Sequence, residues 1–576
     1  MIKIRKIEIT HFRCIQSFTW NPPEGVSCLI GPGDSGKSTV LDAIDLCLGA
    51  RRSIQLSDAD FFDLDVTKPI NITLTLGSLD DALMSIENYG IFLRSYDAST
   101  GLVEDEPEKD GEPVLTLNLS IEGDLEPVWT LVSDRAEAKE VAKGLAWKDR
   151  IRVAPTRLGS QPSFNLSWAR GSVLNRLSGE KAEVALALVE AARHARSSFG
   201  DTADQQLEET LGIVTRTAAA LGVQVGGSTR ALLDAHSVSF GDGAISLHSK
   251  KGVPLRGLGT GSSRLLVAGL QREAASTASI LLVDELEFGL EPHRLTRLLG
   301  ALGVKDKVPS LQVFMTTHSP VALRELNGNQ LYIIRREGER HRVRRVGADD
   351  ATQSAIRRAP GVFLAMTAIV CEGASEVGLL RGLDDYRVAQ GNVSLNASGI
   401  AYFDAEGSNP DKCIGQASDL LGLGFRVMAF IDNDKPSTKA IRDAFVEKGG
   451  KLVMWREEFS LEDELFSSMP DEAISALIER AKELTEDGLV ANHILSKSIG
   501  KVELKNIEAE FFNGGFTNET KKLLGQAART KKAGWFKSIS KMEGVARDII
   551  GPQLKQSETH FKETLDGLFD WAHSGA

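Results

Sequence analysis

Residues 26–50 read "VSCLIGPGDSGKSTVLDAIDLCLGA". A five-residue apolar run leads without a spacer into a glycine-rich loop, and an apolar-periodic helix follows. The loop satisfies G-x-x-x-x-G-K-[ST] through Gly31, Gly36, Lys37 and Ser38, with Gly33 and Thr39 beside them. In a strand–loop–helix setting the glycines let backbone N–H groups turn inward around phosphates, and the helix N-terminus favours the anionic charge. Lys37 then reaches the β- and γ-phosphates while the Ser38 hydroxyl ligates Mg²⁺. The chain is therefore expected to be α/β and to bind ATP through Gly31, Gly33, Gly36, Lys37, Ser38 and Thr39.

The complementary residues lie far downstream. "ASILLVDELEFGLEPHR" is an apolar strand ending in Asp284, expected to hold Mg²⁺ through water, and Glu285, expected to polarise the attacking water. "LQVFMTTHSP" is another strand, ending at His318, which is placed to contact a γ-phosphate. Just upstream, "LRGLGTGSSRLLVAGLQ" opens a helix with a Gly/Ser loop, a second potential anion site. About 250 residues separate Lys37 from Asp284, with no long heptad array between them. "NITLTL", "VLTLNLSI" and "VWTLV" alternate as strands of a β-rich lobe. Residues 178–222 read as helices with an apolar stripe at Val184, Leu186, Leu188 and Val189, preferred here as a dimerisation arm over a hairpin packed on the same chain.

The bulk properties narrow the class. A chain of 576 residues holds two to four domains, and 42% hydrophobic with 25% charged residues is ordinary for a globular protein. No apolar run approaches the roughly 20 residues that cross a bilayer. The start "MIKIRKIEITHFRC" alternates like a strand rather than a signal peptide. Five scattered cysteines form no CxxC pair, against zinc ribbons and disulfide frameworks, so a cytoplasmic protein with no membrane partner is expected. A net charge of −12 argues against indiscriminate coating of nucleic acid, yet "NETKKLLGQAARTKKAGWFKSISK" is a basic cluster, either a phosphate-binding surface or a solvated helix face.

The second half carries its own chemistry. The apolar strand 368–371 ends at Glu372, and Glu376 opens the next helix. "GIAYFDAEG" is the next strand, and "FRVMAFIDNDK" ends in Asp432 and Asp434, expected to point the same way as i, i+2 residues of a strand. Strand–helix alternation implies a parallel sheet whose ligands collect at the strand C-terminal ends. Carboxylates converging there would repel one another unless a divalent cation neutralised them, and oxygen ligands suit Mg²⁺ or Mn²⁺. "MWREEFSLEDELFSSMP" adds Glu462, Asp463 and Glu464, which also fit an acidic helix N-terminus, and "KKAGWFKSIS" adds Lys537.

Residues 1–350 resemble the ABC-type ATPase heads of the SMC, Rad50 and RecF group: "IEITHFRCIQSFTW" matches their opening strand and Phe-Arg turn. "GLGTGSSR" stands at their signature loop but departs from Leu-Ser-Gly-Gly. Such heads pair one subunit's ATP site with another's signature loop, which implies a homodimer or higher homo-oligomer. E-G-x-x-E followed by D-x-D resembles the Toprim domain over roughly 365–470. The combination resembles the OLD (overcoming lysogenization defect) nucleases, including the nuclease subunit of the Gabija defence system. That resemblance implies two divalent metals, Mg²⁺ or Mn²⁺, at Glu372, Glu376, Asp432 and Asp434, with the second-metal role at Glu462 and Glu464. It also implies a catalytic lysine at Lys537, with Lys532 and Lys541 close by. The expected fold is an α/β ABC-type (SMC/Rad50/RecF-like) head with a helical insertion, then a Toprim α/β domain with a C-terminal helical elaboration. The expected boundaries are 1–165 and 241–355 for the head, 166–240 for the insertion and 362–576 for the Toprim part. The expected function is a metal-dependent DNA endonuclease or nickase under ATP control, in phage defence or DNA processing, with a helicase as a possible partner. The competing reading is an ATP-switched repair or scaffold ATPase of the RecF/SMC type. No tyrosine stands in a topoisomerase-like context, and a primase would carry a zinc ribbon.

Overall fold

The computed structural model describes residues 2–51, 54–106, 111–158, 165–167, 172–177, 190–191, 193–194, 198–199, 203–274 excluding 221–245, 279–407, 409–530 and 533–574. The apolar stripe at Val184–Val189 lies outside the described residues, as does Lys532. The chain forms two compact units, Met1–Cys28 with Ser38–Thr317, and Leu29–Lys37 with His318–Ala576. Among the described residues no helix is long and apolar enough to cross a membrane.

The first unit is built on two strand arrays. Strands β1 (Lys3–Phe12) and β2 (Ile15–Trp20) form a hairpin. β1 also pairs antiparallel with β4 (Ile70–Gly77), which pairs with β7 (Glu112–Ile121). β5 (Leu93–Asp97), β6 (Leu102–Glu104) and β8 (Pro127–Val132) complete this array. Its register places Ile7, Leu74 and Leu117 in line, all buried, so one face of the alternating strands supplies a core. The second array is parallel: β9 (Thr156–Leu158), β10 (Ile280–Val283) and β11 (Gln312–Thr316). Every residue of β10 and β11 is buried, the pattern of strands covered on both faces. The apolar run of the phosphate motif is β3 (Val26–Ile30), also buried throughout, and the helix after it is α1 (Lys37–Leu48). The Gly/Ser loop opens α2 (Thr260–Glu273) at Gly259.

In the second unit, β12 (Leu331–Glu337) and β13 (Arg340–Arg345) form an antiparallel hairpin. A four-stranded parallel sheet follows, made of β14 (Thr367–Cys371), β15 (Ile400–Asp404), β16 (Arg426–Ile431) and β17 (Lys451–Met454) in the order β15-β14-β16-β17. The connections are α3 (Ala374–Ala389), α4 (Pro410–Gly422) and a shorter helix, and α5 (Leu461–Ser468) leaves the sheet after β17. The chain runs from β14 to one side and then crosses to the other, so the crevice beyond the C-terminal ends of β14 and β16 is the switch point where such sheets take ligands. The core continues from Ile369, Met428 and Phe430 through Trp455, Trp535 and Phe536 to Phe561 and Phe569 of α8 (Thr559–His573); α6 (Asn518–Ala528) and α7 (Ile539–Val545) contribute Leu524 and Met542. Trp455 stacks on Phe561 with centroids 5.5 Å apart.

Helices α3 and α7 approach at two glycines. A Cβ on Gly378 would stand 2.6 Å from the Ile539 carbonyl, and one on Gly382 would stand 2.2 Å from the Glu543 carbonyl. Both obstacles are backbone, so a methyl group would force the helices apart. Gly415 on α4 has nothing within 4 Å of such a Cβ. Gly382→Ala is therefore expected to destabilise the second unit by roughly 1–3 kcal/mol. Gly415→Ala should stabilise it by up to about 1 kcal/mol through helix propensity alone. Chemical denaturation of the two variants checks the opposite signs.

Candidate functional site: a phosphate loop and a carboxylate edge

The loop Gly31–Lys37 has the backbone its motif demands. Gly31 and Gly36 lie at φ +141° and +87°, where side chains are strained, and a Cβ at Gly31 would meet the Ile334 carbonyl at 2.7 Å. Gly33 faces open space. Lys37 is buried, and its ammonium donates to the carbonyls of Gly31 (3.1 Å) and Pro32 (2.6 Å) and to Ser35 Oγ (3.3 Å). These are contacts that phosphate oxygens can replace.

In the first unit the hydroxyl of Ser38 donates directly to Asp284 Oδ1 at 2.9 Å. Thr316 Oγ1 donates to the same oxygen at 2.7 Å, and its hydroxyl also accepts the Glu285 N–H at 2.8 Å. A hydroxyl and a carboxylate are the hard oxygen donors that Mg²⁺ prefers, so this pair fits the ion that the motif implies. Thr39 Oγ1 lies 3.4 Å from Cys14 Sγ. Glu285 is exposed and holds φ +45°, an uncommon conformation for a side-chain-bearing residue. The turn carrying it is gripped by Arg264 of α2, which is wholly buried and donates to the carbonyls of Asp284, Glu285 and Phe288. His318 is exposed, two residues beyond the end of β11. Sequence reasoning passed over Thr316, Arg264 and Arg157, because each acts through a spatial neighbour that no local spacing encodes.

The second unit gathers carboxylates at the sheet edge. Glu372 follows β14, Glu376 lies in the first turn of α3, and Glu462 lies in the first turn of α5; all three are buried. Asp432 and Asp434 do not lie on the strand, as expected, but in the turn after β16, which ends at Ile431. The turn is fixed by paired backbone bonds, Asn433 N–H to Phe459 O and Glu458 N–H to Asn433 O. Asp432 Oδ1 accepts the Leu461 N–H at 2.9 Å, and the Asp432 N–H donates to Glu372 Oε2 at 3.1 Å. Burial first, then Glu462 and Glu372, push the Glu376 carboxyl up to about 8. Burial, with Glu376 and Glu462 next, lifts Asp432 well above the usual carboxylate range. Burial also raises Glu462, against which the positive charge of exposed Lys537 works. Lys541 heads α7 with its N–H on Ser538 Oγ.

Two cations already serve this edge: Lys435 Nζ stands 3.0 Å from Glu372 Oε1, and Arg529 reaches Asp434 (3.2 Å) and Asp463 (3.1 Å). Among the described residues no three metal-ligating groups stand ready around one point. Buried oxygens of Asp434 (Oδ1) and Glu462 (Oε1) nonetheless lack any hydrogen-bond partner, and an unsatisfied buried carboxylate oxygen is costly. An oxygen-seeking divalent ion fits that donor set. The structure does not bring Glu464 to the group. Two residues apart on a helix, Glu462 and Glu464 face opposite ways. Glu464 is instead held by Arg456 (3.0 Å) and by the Ser468 hydroxyl (3.0 Å). Asp463 serves the capping box of Ser460. Lys435 was legible in "DNDK" only once the turn was known, and Arg529 sat unmarked in the basic cluster.

A carboxyl whose folded pKa lies above its ordinary value of 4.5 binds its proton more tightly in the fold. The stability it contributes is full at low pH and drains away as the pH rises through about 8. In EDTA, the melting temperature is therefore expected to fall between pH 5 and pH 8 by roughly 2–4 °C more for the natural protein than for Glu376→Gln. Mn²⁺ should restore the natural protein and not the variant, as differential scanning calorimetry would read.

The curated "OLD nuclease" of Thermus scotoductus is 33% identical over 75 residues, 12% of this chain and 14% of the relative, so only a small part of that protein's length is spanned. The Smc head with an extended coiled coil bound to the C-terminal domain of ScpA, derived from Pyrococcus furiosus, covers 60% of this chain and 96% of its own at 15% identity and TM-score 0.34. The SMC head domain from Thermotoga maritima covers 60% and 100% at 13% identity and TM-score 0.28. Residues 26–324, more than half of the sequence, match the family described as "AAA domain, putative AbiEii toxin, Type IV TA system", and the chain belongs to that family of ATPase domains.

Proposed function

We propose that the second unit is a Toprim-type, metal-dependent DNA endonuclease or nickase, and that the ATPase domain controls it. The observation that carries this reading is the gathering of buried Glu372, Glu376 and Glu462 with half-buried Asp432 and Asp434 along one edge of a parallel sheet, where Glu376, Glu462 and Glu372 raise the Asp432 carboxyl. A scaffold has no use for that electrostatic cost, whereas two divalent ions would relieve it. Bound there, such ions would activate a water and neutralise charge on the leaving oxygen. Glu372, Glu376, Asp432, Asp434 and Glu462 would hold them through carboxylate oxygens. Lys537, exposed beside Glu462, would set its positive charge against the phosphate under attack. Glu464 has a different role, fixing α5 through Arg456.

The resemblance to OLD nucleases, Gabija included, supports phage defence as the setting, Mg²⁺ or Mn²⁺ as the metals and a homodimer as the working form, with a helicase partner compatible with it. Within the ATPase domain, residues 26–324, Lys37, Ser38 and Asp284 bind the nucleotide and Glu285 and His318 act on it. A second reading, an ATP-switched repair or scaffold protein, is favoured only by the 75-residue extent of the match to a nuclease.

Plasmid cleavage with Mg²⁺ or Mn²⁺ tests the proposal. Nicking or linearisation should fall at least about 100-fold in Asp432→Ala and Lys537→Ala, with folding intact. Lys37→Ala should abolish ATP hydrolysis and alter the response of cleavage to nucleotide. Cleavage unaffected by Asp432→Ala would refute the site, and an unchanged nucleotide response in Lys37→Ala would refute the coupling.

A further inference from the structure

Arg157, at the centre of β9, pairs in register with Leu282 of β10. Its guanidinium meets three carboxylates: Asp42 Oδ1 at 2.6 Å, Asp45 Oδ2 at 3.5 Å and Asp284 Oδ2 at 3.3 Å. The other oxygen of Asp284 takes the hydroxyls of Ser38 and Thr316. Ser38 and Asp284 are the residues that the phosphate motif assigns to magnesium, so the cation resting against Asp284 here is a guanidinium. Asp42 and Asp45 each have an arginine of their own, Arg13 and Arg51, and Arg157 remains about a third exposed.

We infer that Arg157 is a stand-in for magnesium, balancing Asp284 when the site is empty and releasing it to the metal when Mg²⁺-nucleotide binds. A guanidinium and a divalent ion cannot share one carboxylate without strong mutual repulsion at such close range. An incoming polyphosphate relieves it. Asp42 keeps the arginine tethered, while the N–H groups withdrawn from Asp284 turn to phosphate oxygens, for which the guanidinium fork is suited. The same residue would thus oppose metal binding without nucleotide and bind nucleotide without metal. This inference concerns the ATPase domain and does not rest on the nuclease reading.

Isothermal titration of ATP into the full-length protein, in EDTA and in Mg²⁺, tests it through the ratio of the two dissociation constants. Arg157→Gln removes the cation available in EDTA and the competitor present in Mg²⁺. The ratio of Kd in EDTA to Kd in Mg²⁺ should therefore rise about tenfold or more over the natural protein. Arg157→Lys keeps the charge needed for folding but cannot span two carboxylates, and should give an intermediate ratio. An unchanged ratio in either folded variant, or an equal loss of affinity in both buffers at an unaltered melting temperature, would overturn the inference. Loss of DNA cleavage with the ratio shifted as expected would leave it standing, because the nuclease site is separate in chemistry and in sequence.

Discussion

The first unit turns on one carboxylate. Asp284 receives a hydroxyl from Ser38, which lies at the start of α1, and another from Thr316 at the end of β11, while Arg157 binds its second oxygen. Four segments spread across some 280 residues of sequence meet at its two oxygens. Such a meeting is possible because β9, β10 and β11 are parallel, so their C-terminal ends, and whatever follows each strand, arrive on one side. Arg264 then fixes the adjoining turn from below through three carbonyls. This buried guanidinium satisfies backbone groups that a left-handed Glu285 would otherwise leave poorly placed.

The second unit solves the same geometric problem with the opposite balance of charge. Its four parallel strands also deliver their following turns to one edge, but the residues delivered are acidic and buried or half-buried. Lys435 and Arg529 compensate part of the charge, and two carboxylate oxygens are left without partners. The two edges thus differ in what they lack. The first is electrically balanced by arginines, whereas the second carries a surplus that only protons or cations can remove.

Strands were the most legible part of the sequence. The apolar runs before Gly31, Asp284, His318 and Glu372 all form buried strands, because a short apolar run bounded by glycine or charge has few other ways to hide its backbone. The carboxylates were legible as a group and not in detail. Alternation along a strand was applied to Asp432 and Asp434 one residue too far, beyond the last ladder bond at Ile431, where pairing of Asn433 with the loop 458–459 sets the direction instead. Glu464 was assigned with Glu462 through the family resemblance alone, whereas the helical period of 3.6 turns its side chain to Arg456. The cations Arg157, Lys435 and Arg529 left no local signal, since their partners lie 63 to 127 residues away.

The stacking of Trp455 on Phe561 has a consequence for the order of events during synthesis. The strands that place Glu372 and Asp432 are translated well before α8, yet the tryptophan directly after β17 finds its partner only in that helix, about 100 residues later. Arg456 repeats the link by binding both Glu464 and Glu558. A nascent chain halted before α8 would therefore carry the acidic residues while Trp455 and Arg456 lacked their partners Phe561 and Glu558. The packing around this edge is therefore complete only once α8 has been made and has docked against Trp455.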